Sequence, residues 1–523
     1  MRQMITRRRF MAAGAAVTAL AGHSMVRADV PEHLWSGYDF GPGPKVTDRL
    51  NQGPFGVEQD EGWRTLATTT QSAKPVRNFG LGLCGYTWEE AGPSLPARAG
   101  KQTLENHVEL MAALPFVDVL YIRCGWRDVQ ARPSRLDLSP VWKLTFDAAK
   151  RYGKRVAFRV MLSNTVFQPK QLALPDFLQQ KIPVVSIGRS REKGSDFDFR
   201  EPRYDHPEFL KAFRELNELL ASEFDGHPQV EWMDLMMYGF WGEGHTSDLK
   251  SPFPDYQTAE RTMVHLTTLQ LDAWKKTPLA VNTQPDISHV GNREVHDLCV
   301  REGCWLRSDS ILSIEEPVQV ENVANRPPWL AVVMEDGGFR TYDVRKIPTD
   351  EAGINLREKA MLHVLDLGAN YWSLWTEGEN LKRYNERYPR GFATLQQRMG
   401  YRVRPSWVWQ RKRYGTSEVI VCVTNDGVAG VPGVLRLSLE SPDGSLRMSG
   451  RLDAGHPYGG RIREASFVLP RGMEGQRLKL RAEIETKGVR RPMNWACEQP
   501  LDADGSFVIE LQPFDAEGWR KGV

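Results

Sequence analysis

The sequence predicts an α/β fold: a (β/α)8 TIM barrel over residues 78–402, followed by an all-β sandwich over residues 403–523. Three observations carry this. From about residue 78, short apolar, β-branched or aromatic runs alternate with longer stretches of helical period, the signature of a parallel sheet covered by helices. Eight such runs occur before about residue 376, the number a closed (β/α) barrel requires. Beyond residue 403 the helical stretches stop, and alternating strands separated by turn dipeptides take over.

Taken in order, residues 1–28 carry Thr6-Arg-Arg-Arg-Phe10, then a weakly apolar Ala/Gly-rich run over residues 11–22, then Val26-Arg-Ala28, which offers a small residue for cleavage. Paired arginines before a modest apolar run resemble a twin-arginine signal, which implies an encounter with that export machinery and a periplasmic or secreted destination. The run is too short to span a membrane, and no later stretch is long and apolar enough. Residues 29–77 are rich in Pro, Gly and Asp and read as an extended segment packed over a larger body.

The barrel strands follow. They are Phe79–Tyr86, Val117–Trp126, Arg155–Leu162, Trp232–Tyr238, Pro278–Asn282, Trp305–Leu312, Trp329–Glu335 and Ala369–Trp375. Helical patterns fill the gaps. Val141–Tyr152 ends at Gly153, a natural residue after a helix C-terminus, and Pro207–Phe224 follows Asp205, a candidate N-cap. Tyr256–Lys275 and Asn355–Leu367 are two more. The Pro-rich, polar and basic stretch Asn164–Tyr204 reads as a long loop over the barrel mouth. Sandwich strands are expected at Val419–Thr424, Val434–Leu439, Gly460–Leu469, Arg477–Glu485 and Ser506–Leu511.

Composition excludes several classes. With 68 basic against 66 acidic residues the net charge is +2, which offers nothing to nucleic acid or an anionic membrane surface. Sixteen Trp suit both a sugar-binding cleft and a large core. The six cysteines form no metal-ligand spacing. An oxidising compartment would permit Cys299–Cys304 or Cys84–Cys124 pairing, whereas their apolar settings suit buried thiols. There is no GxSxG elbow, HExxH zinc motif or Walker loop. No cofactor and no metal are expected.

Chemistry in a TIM barrel belongs at the carboxyl ends of the strands. The fourth strand leads into Trp241-Gly-Glu243-Gly-His245, a carboxylate between glycines and rings, a partly desolvated setting that raises a glutamic acid's pKa. The seventh ends in Val332-Val-Met-Glu335-Asp-Gly-Gly338. Two carboxylates across a cleft are what glycosidic cleavage requires. Arg123 and Arg159, late on strands two and three, are placed to hold a nucleophilic carboxylate ionised. His245 is a candidate to orient Glu243, and Asn282 to bind a hydroxyl. Trp126, Trp241, Trp372 and Trp375 are candidate platforms for an oligo- or polysaccharide. Glu315, Glu316 and Glu377 are rival carboxylates.

Glutamates at the ends of strands four and seven resemble the clan A glycoside hydrolases. The resemblance implies O-glycosyl hydrolase activity by a retaining two-carboxylate mechanism, with Glu243 as acid/base, Glu335 as nucleophile and a carboxyl separation of about 5–5.5 Å. Asp234–Thr246, Tyr121-Ile-Arg-Cys-Gly-Trp126 and Met399-Gly-Tyr-Arg402 are also similar to segments of a bacterial family of glycoside-hydrolase-like barrels with a C-terminal sandwich. Clan A enzymes usually place Asn directly before the acid/base, where it binds a sugar hydroxyl. Here Gly242 stands there, so another residue supplies that contact or the substrate presents no equivalent hydroxyl. The alternatives are a sugar-binding barrel without turnover, and a hydrolase or lyase that uses Glu315 or Glu316 as the second carboxylate.

Overall fold

The structure, a computed structural model, describes residues 62–88, 103–165, 168–190, 195–284, 292–312, 317–337, 356–452 and 463–521. The expected export signal and all of the N-terminal segment before Gly62 lie outside these residues, as do Glu315 and Glu316.

Strands run in chain order β1 (Gly62–Thr68), β2 (Gly82–Trp88), β3 (Val119–Gly125), β4 (Arg155–Met161), β5 (Val184–Gly188), β6 (Phe199–Pro202), β7 (Val230–Asp234), β8 (Leu279–Asn282), β9 (Trp305–Ser308), β10 (Val332–Glu335) and β11 (Tyr371–Leu374). β2, β3, β4, β7, β8, β9, β10 and β11 pair in parallel and close into a barrel, with β11 returning to β2. The eight predicted runs are therefore the eight barrel strands. The fourth stops at Asp234 rather than Tyr238, so Glu243 lies in the loop beyond it.

Helices Pro140–Tyr152, Pro207–Phe224, Tyr256–Ala273 and Leu356–Asp366 occupy the predicted gaps. Gly153 ends the first in the left-handed conformation, φ 62°, which glycine adopts without penalty. The second is capped by His206, not Asp205; the Asp205 carboxylate is instead paired with Arg203 at 2.7 Å. The insertion after β4 is more than a loop. It holds a short helix, Asp176–Gln179, and an antiparallel hairpin of β5 and β6.

The C-terminal module comprises β12 (Val403–Arg413), β13 (Thr416–Asn425), β14 (Val434–Glu440), β15 (Arg447–Leu452), β16 (Arg463–Val468), β17 (Arg477–Thr486), β18 (Val489–Met493) and β19 (Phe507–Glu510). One sheet has the order β1-β12-β13-β16; the other has β15-β14-β17-β18, with β19 beside β17. β1 thus comes from the N-terminal side of the barrel and pairs antiparallel with β12. Strands β12, β15 and β18 escape a purely apolar scan because they carry many basic residues, such as Arg447 and Arg451 or Arg490 and Arg491.

One apolar cluster runs from Phe79, Tyr86, Tyr121, Trp232, Trp305 and Tyr371 inside the barrel to Tyr401, Val403, Leu437 and Leu480 of the sandwich. The sandwich therefore covers the amino-terminal end of the barrel, leaving the carboxyl end for chemistry. The six cysteines are all buried free thiols.

Candidate active site

Alternation along each barrel strand decides which side chains meet at the axis. On β3, Leu120, Ile122 and Cys124 join the layer between strands and helices, whereas Val119 and Tyr121 point inward. The same period of two brings Arg123 to the inner face. The inner series elsewhere are Ala157 then Arg159 on β4, Trp232 then Asp234 on β7, Trp305 then Arg307 on β9, Val333 then Glu335 on β10, and Tyr371 then Ser373 on β11. The barrel interior is aromatic and apolar below and charged at its carboxyl end.

Glu335 lies at the centre of that charged layer. Its Oε1 accepts hydrogen bonds from Tyr86 Oη at 2.6 Å, Arg307 Nη2 at 2.7 Å and Arg123 Nη1 at 3.2 Å. Glu243 Oε1 accepts from Arg123 Nη1 at 3.3 Å and Arg159 Nη1 at 3.2 Å. Arg123 therefore bridges the two glutamates. Ser247 N–H donates to His245 Nδ1 at 3.0 Å, which leaves the ring proton on Nε2, 3.3 Å from Glu243 Oε2. Asp234 Oδ2 accepts from Tyr121 Oη at 2.6 Å and pairs with Arg159 at 3.1 Å and Arg307 at 3.3 Å. Asp309, just past β9, accepts from Arg307 Nε at 2.9 Å on Oδ1 and from Asn282 Nδ2 on Oδ2.

Oxygens of Glu243, Asp309 and Glu335 all lie within 4.8 Å of one another. These are the described carboxylates best placed to hold a cation. Guanidinium groups already occupy contact distance on all three, so the set is not an open ligand shell.

Electrostatics separate the three. Burial pushes each carboxyl up. For Glu335 that push is outweighed by Arg307, Arg123 and the Tyr86 hydrogen bond, which hold it at about 2. Glu243 is buried too, yet the His245 hydrogen bond, Arg159 and Arg123 hold it below the usual carboxylate range. This corrects the expectation that its local setting raises it: the desolvation is present, but the guanidiniums come from other strands. Asp309 moves the other way, driven well up by burial and then by the charges of Glu243 and Glu335.

The glycine-rich loop has a definite geometry. Phe240 N–H donates to His245 O at 2.7 Å and Gly244 N–H to Tyr238 O at 3.0 Å, folding the segment back on itself. Gly239 has φ 77°, and a Cβ there would sit 2.1 Å from His245 O. At Gly242, φ 73°, a Cβ would press to 3.3 Å on Arg159 Cδ. Arg159 fills the space that an Asn side chain would need.

No family model and no curated protein matches the chain. Similar solved structures do exist. The catalytic domain of a β-amylase from Paenibacillus polymyxa is 11% identical, TM-score 0.37, over 58% of this chain and 94% of that one. A GH42 β-galactosidase from G. stearothermophilus is 10% identical, TM-score 0.38, over 62% and 58%. A GH5_18 protein from Streptomyces cattleya, in complex with Manb1-4GlcNAc, is 14% identical, TM-score 0.33, over 58% and 71%. The barrel assignment rests on the closed strand order, not on these likenesses.

The candidate residues divide accordingly. Glu243, Glu335, Arg123, Arg159, His245 and Asn282 come together. Trp375 stands beside them, with Arg123 Cζ 5.5 Å from its ring centroid, and half-buried Trp241 contacts the His245 ring at 5.9 Å. Trp126 and Trp372 lie elsewhere, fully buried in the layer between strands and helices. Trp126 donates Nε1–H to Gln130 and packs edge-on against Phe209, a core role that leaves no ring face for a sugar. Trp372 points to that layer because Ser373 takes the inward position. Glu377 is buried ahead of the helix Gly378–Arg387, at its N-cap position.

Five site residues escaped the sequence reading: Tyr86, Tyr121, Asp234, Arg307 and Asp309. The signal was available in part. Trp305, Arg307 and Asp309 sit two apart, as do Trp232 and Asp234, and charged residues on the inner face of a barrel strand must be paired or functional.

Proposed function

We propose that the protein is a glycoside hydrolase that cleaves a glycosidic bond with retention, Glu335 acting as nucleophile and Glu243 as acid/base. The observation that carries this is the pair itself: two glutamates delivered by the seventh barrel strand and the loop after the fourth, with oxygens within 4.8 Å. Retaining enzymes hold their carboxyl groups about 5–5.5 Å apart, whereas inverting ones leave room for a water at about 6.5–9.5 Å.

Each side chain then has a task. Glu335, held ionised by Arg307 and Arg123, attacks the anomeric carbon as the glycosidic C–O bond breaks. Glu243 gives its proton to the departing oxygen and afterwards takes one from the water that hydrolyses the glycosyl ester. Tyr86 and the arginines keep Glu335 oriented. Trp375 and Trp241 offer ring surface at the rim for an oligo- or polysaccharide.

The test is covalent trapping. A panel of 2-fluoro aryl glycosides is incubated with the enzyme, and the labelled peptide is identified by mass spectrometry. The expected adduct is on Glu335. Glu335→Gln should lower kcat on the matching aryl glycoside by about a thousandfold or more. Turnover with the label on another carboxylate, or full activity in Glu335→Gln, overturns the assignment.

A further inference from the structure

The charged layer does not balance unless one carboxyl carries a proton. Among the described residues, three guanidiniums, Arg123, Arg159 and Arg307, face four carboxyls: Asp234, Glu243, Asp309 and Glu335. All seven side chains are buried, and an uncompensated buried charge is costly. Glu335 and Asp234 each touch two guanidiniums, and Glu243 touches two as well as the His245 ring. Among the described guanidiniums Asp309 touches Arg307 alone, and its second oxygen meets the neutral amide of Asn282. It is the least compensated of the four, so the proton rests there.

That location has a consequence for the reaction proposed above. Glu243 must be protonated to assist departure of the leaving group, yet in the empty site its guanidinium neighbours hold it ionised. Asp309 and Glu243 oxygens lie within 4.8 Å of each other, near enough for one intervening atom to reach both. One oxygen atom between them, of a water or a sugar hydroxyl, can hydrogen-bond to both at ordinary O–H···O distances of about 2.5–3.0 Å.

Resting on the two-carboxylate reading, we propose that Asp309 is a third working carboxyl, which stores the site's proton and passes it to Glu243 across a single bridging oxygen. The transfer balances: the bridging oxygen gives its own proton to Glu243 and receives the one from Asp309. Asp309 is left as a carboxylate against Arg307 Nε and Asn282 Nδ2, and Glu243 becomes the neutral acid. Deglycosylation reverses this, since the proton Glu243 takes from water returns to Asp309. The charged and titratable groups around Asp309 among the described residues are Arg307 on its own strand, Arg159 and Arg123 on β4 and β3, Glu335 on β10, Asp234 on β7, Glu243 and His245 in the loop after β7, and Tyr86 and Tyr121 on β2 and β3. Burial and the charges of Glu243 and Glu335 raise Asp309 well above an ordinary aspartate, in keeping with its storing the proton.

The experiment has two arms. In the first, infrared difference spectroscopy at pH 6–7 compares wild type with Asp309→Asn. A protonated-carboxyl band present in wild type and missing in the variant is expected, and its absence in wild type overturns the proposal whether or not any glycoside is cleaved. The second compares kcat/KM on a phenyl glycoside, which needs a proton to depart, with a 2,4-dinitrophenyl glycoside, which does not. Asp309→Asn should lower the ratio of the two about tenfold or more and move the alkaline limb of the phenyl profile to lower pH. Asn282→Ala, which removes a donor that stabilises ionised Asp309, should lower the ratio in the same direction if the first variant fails to fold. An unchanged ratio in a folded variant shows that Asp309 only supports the structure and overturns the relay. Wild type inert on every glycoside overturns the glycosidase activity itself, an outcome the infrared arm keeps separate.

Discussion

Arg307 shows how much a single inward position on a barrel strand can organise. Its guanidinium contacts Asp234, Asp309 and Glu335 at once, at 3.3, 2.9 and 2.7 Å, and its Cζ lies 5.2 Å from the Tyr121 ring centroid. Removing it leaves three buried carboxyls short of a partner, and breaking buried ion pairs from one side costs about 3–5 kcal/mol. Arg307→Met should therefore lower unfolding free energy by an amount in that range, measured by urea denaturation. A loss under about 1 kcal/mol, the scale of surface pairs, would mean that solvent reaches the cluster. Glu243 and Glu335 depend on the same logic: guanidiniums from other strands hold both low, joined at Glu243 by the hydrogen bond of its chain neighbour His245 and at Glu335 by that of Tyr86.

At the scale of elements, the hairpin of β5 and β6 is tied to the barrel through one buried carboxyl. Glu201 on β6 accepts hydrogen bonds from Ser163, just past β4, and from Tyr204. Tyr204 Oη in turn accepts from Gly239 N–H at 3.0 Å, which links the hairpin to the Glu243 loop. Burial raises Glu201 to about 7, against the pull of its two hydroxyl donors. The sign follows from linkage. A carboxyl whose folded pKa lies above its unfolded value of about 4.3 loses stabilisation as pH rises between the two values. The opening free energy of the hairpin should therefore fall from about pH 4.5 to about pH 7 and level off above, read by hydrogen exchange of β5 and β6 amides. Glu201→Gln should flatten that dependence; an equally steep profile in the variant would place the titrating group elsewhere.

The barrel and the sandwich share one apolar cluster across the barrel's amino-terminal end. Arg491 Cζ lies 4.0 Å from the Phe79 ring centroid, and Asn370 Nδ2–H donates to Gly430 O at 3.3 Å. β1 adds a strand from ahead of the barrel to the sandwich sheet. Cutting the chain after Arg402 would expose Phe79, Leu81 and Tyr401 and strand β1 without its partner. The truncated barrel is expected to be insoluble or to melt at least ~10 °C lower, and the intact chain to melt in a single calorimetric transition. Two separated transitions would show that the halves are independent folding units.

The sequence by itself determined the barrel, because hydrophobic runs and helical periods are local properties that any chain segment displays without its partners. It also determined the sandwich, the strand end that bears Glu335 and the glycine-flanked run that bears Glu243. What only the tertiary structure decided is what those carboxyls are. Arg123, Arg159 and the pair Arg307 and Asp309 come from three separate strands and their ends, and closing the barrel turns their inward faces into one layer. A pKa in a buried site is set by neighbours through space at a few ångströms. The local run around Glu243 signalled a raised acid, and the assembled layer holds it low and gives the proton to Asp309. Strands β15 and β18 were missed for a related reason: their basic residues alternate on the more exposed face, and only the completed sheet shows which face that is.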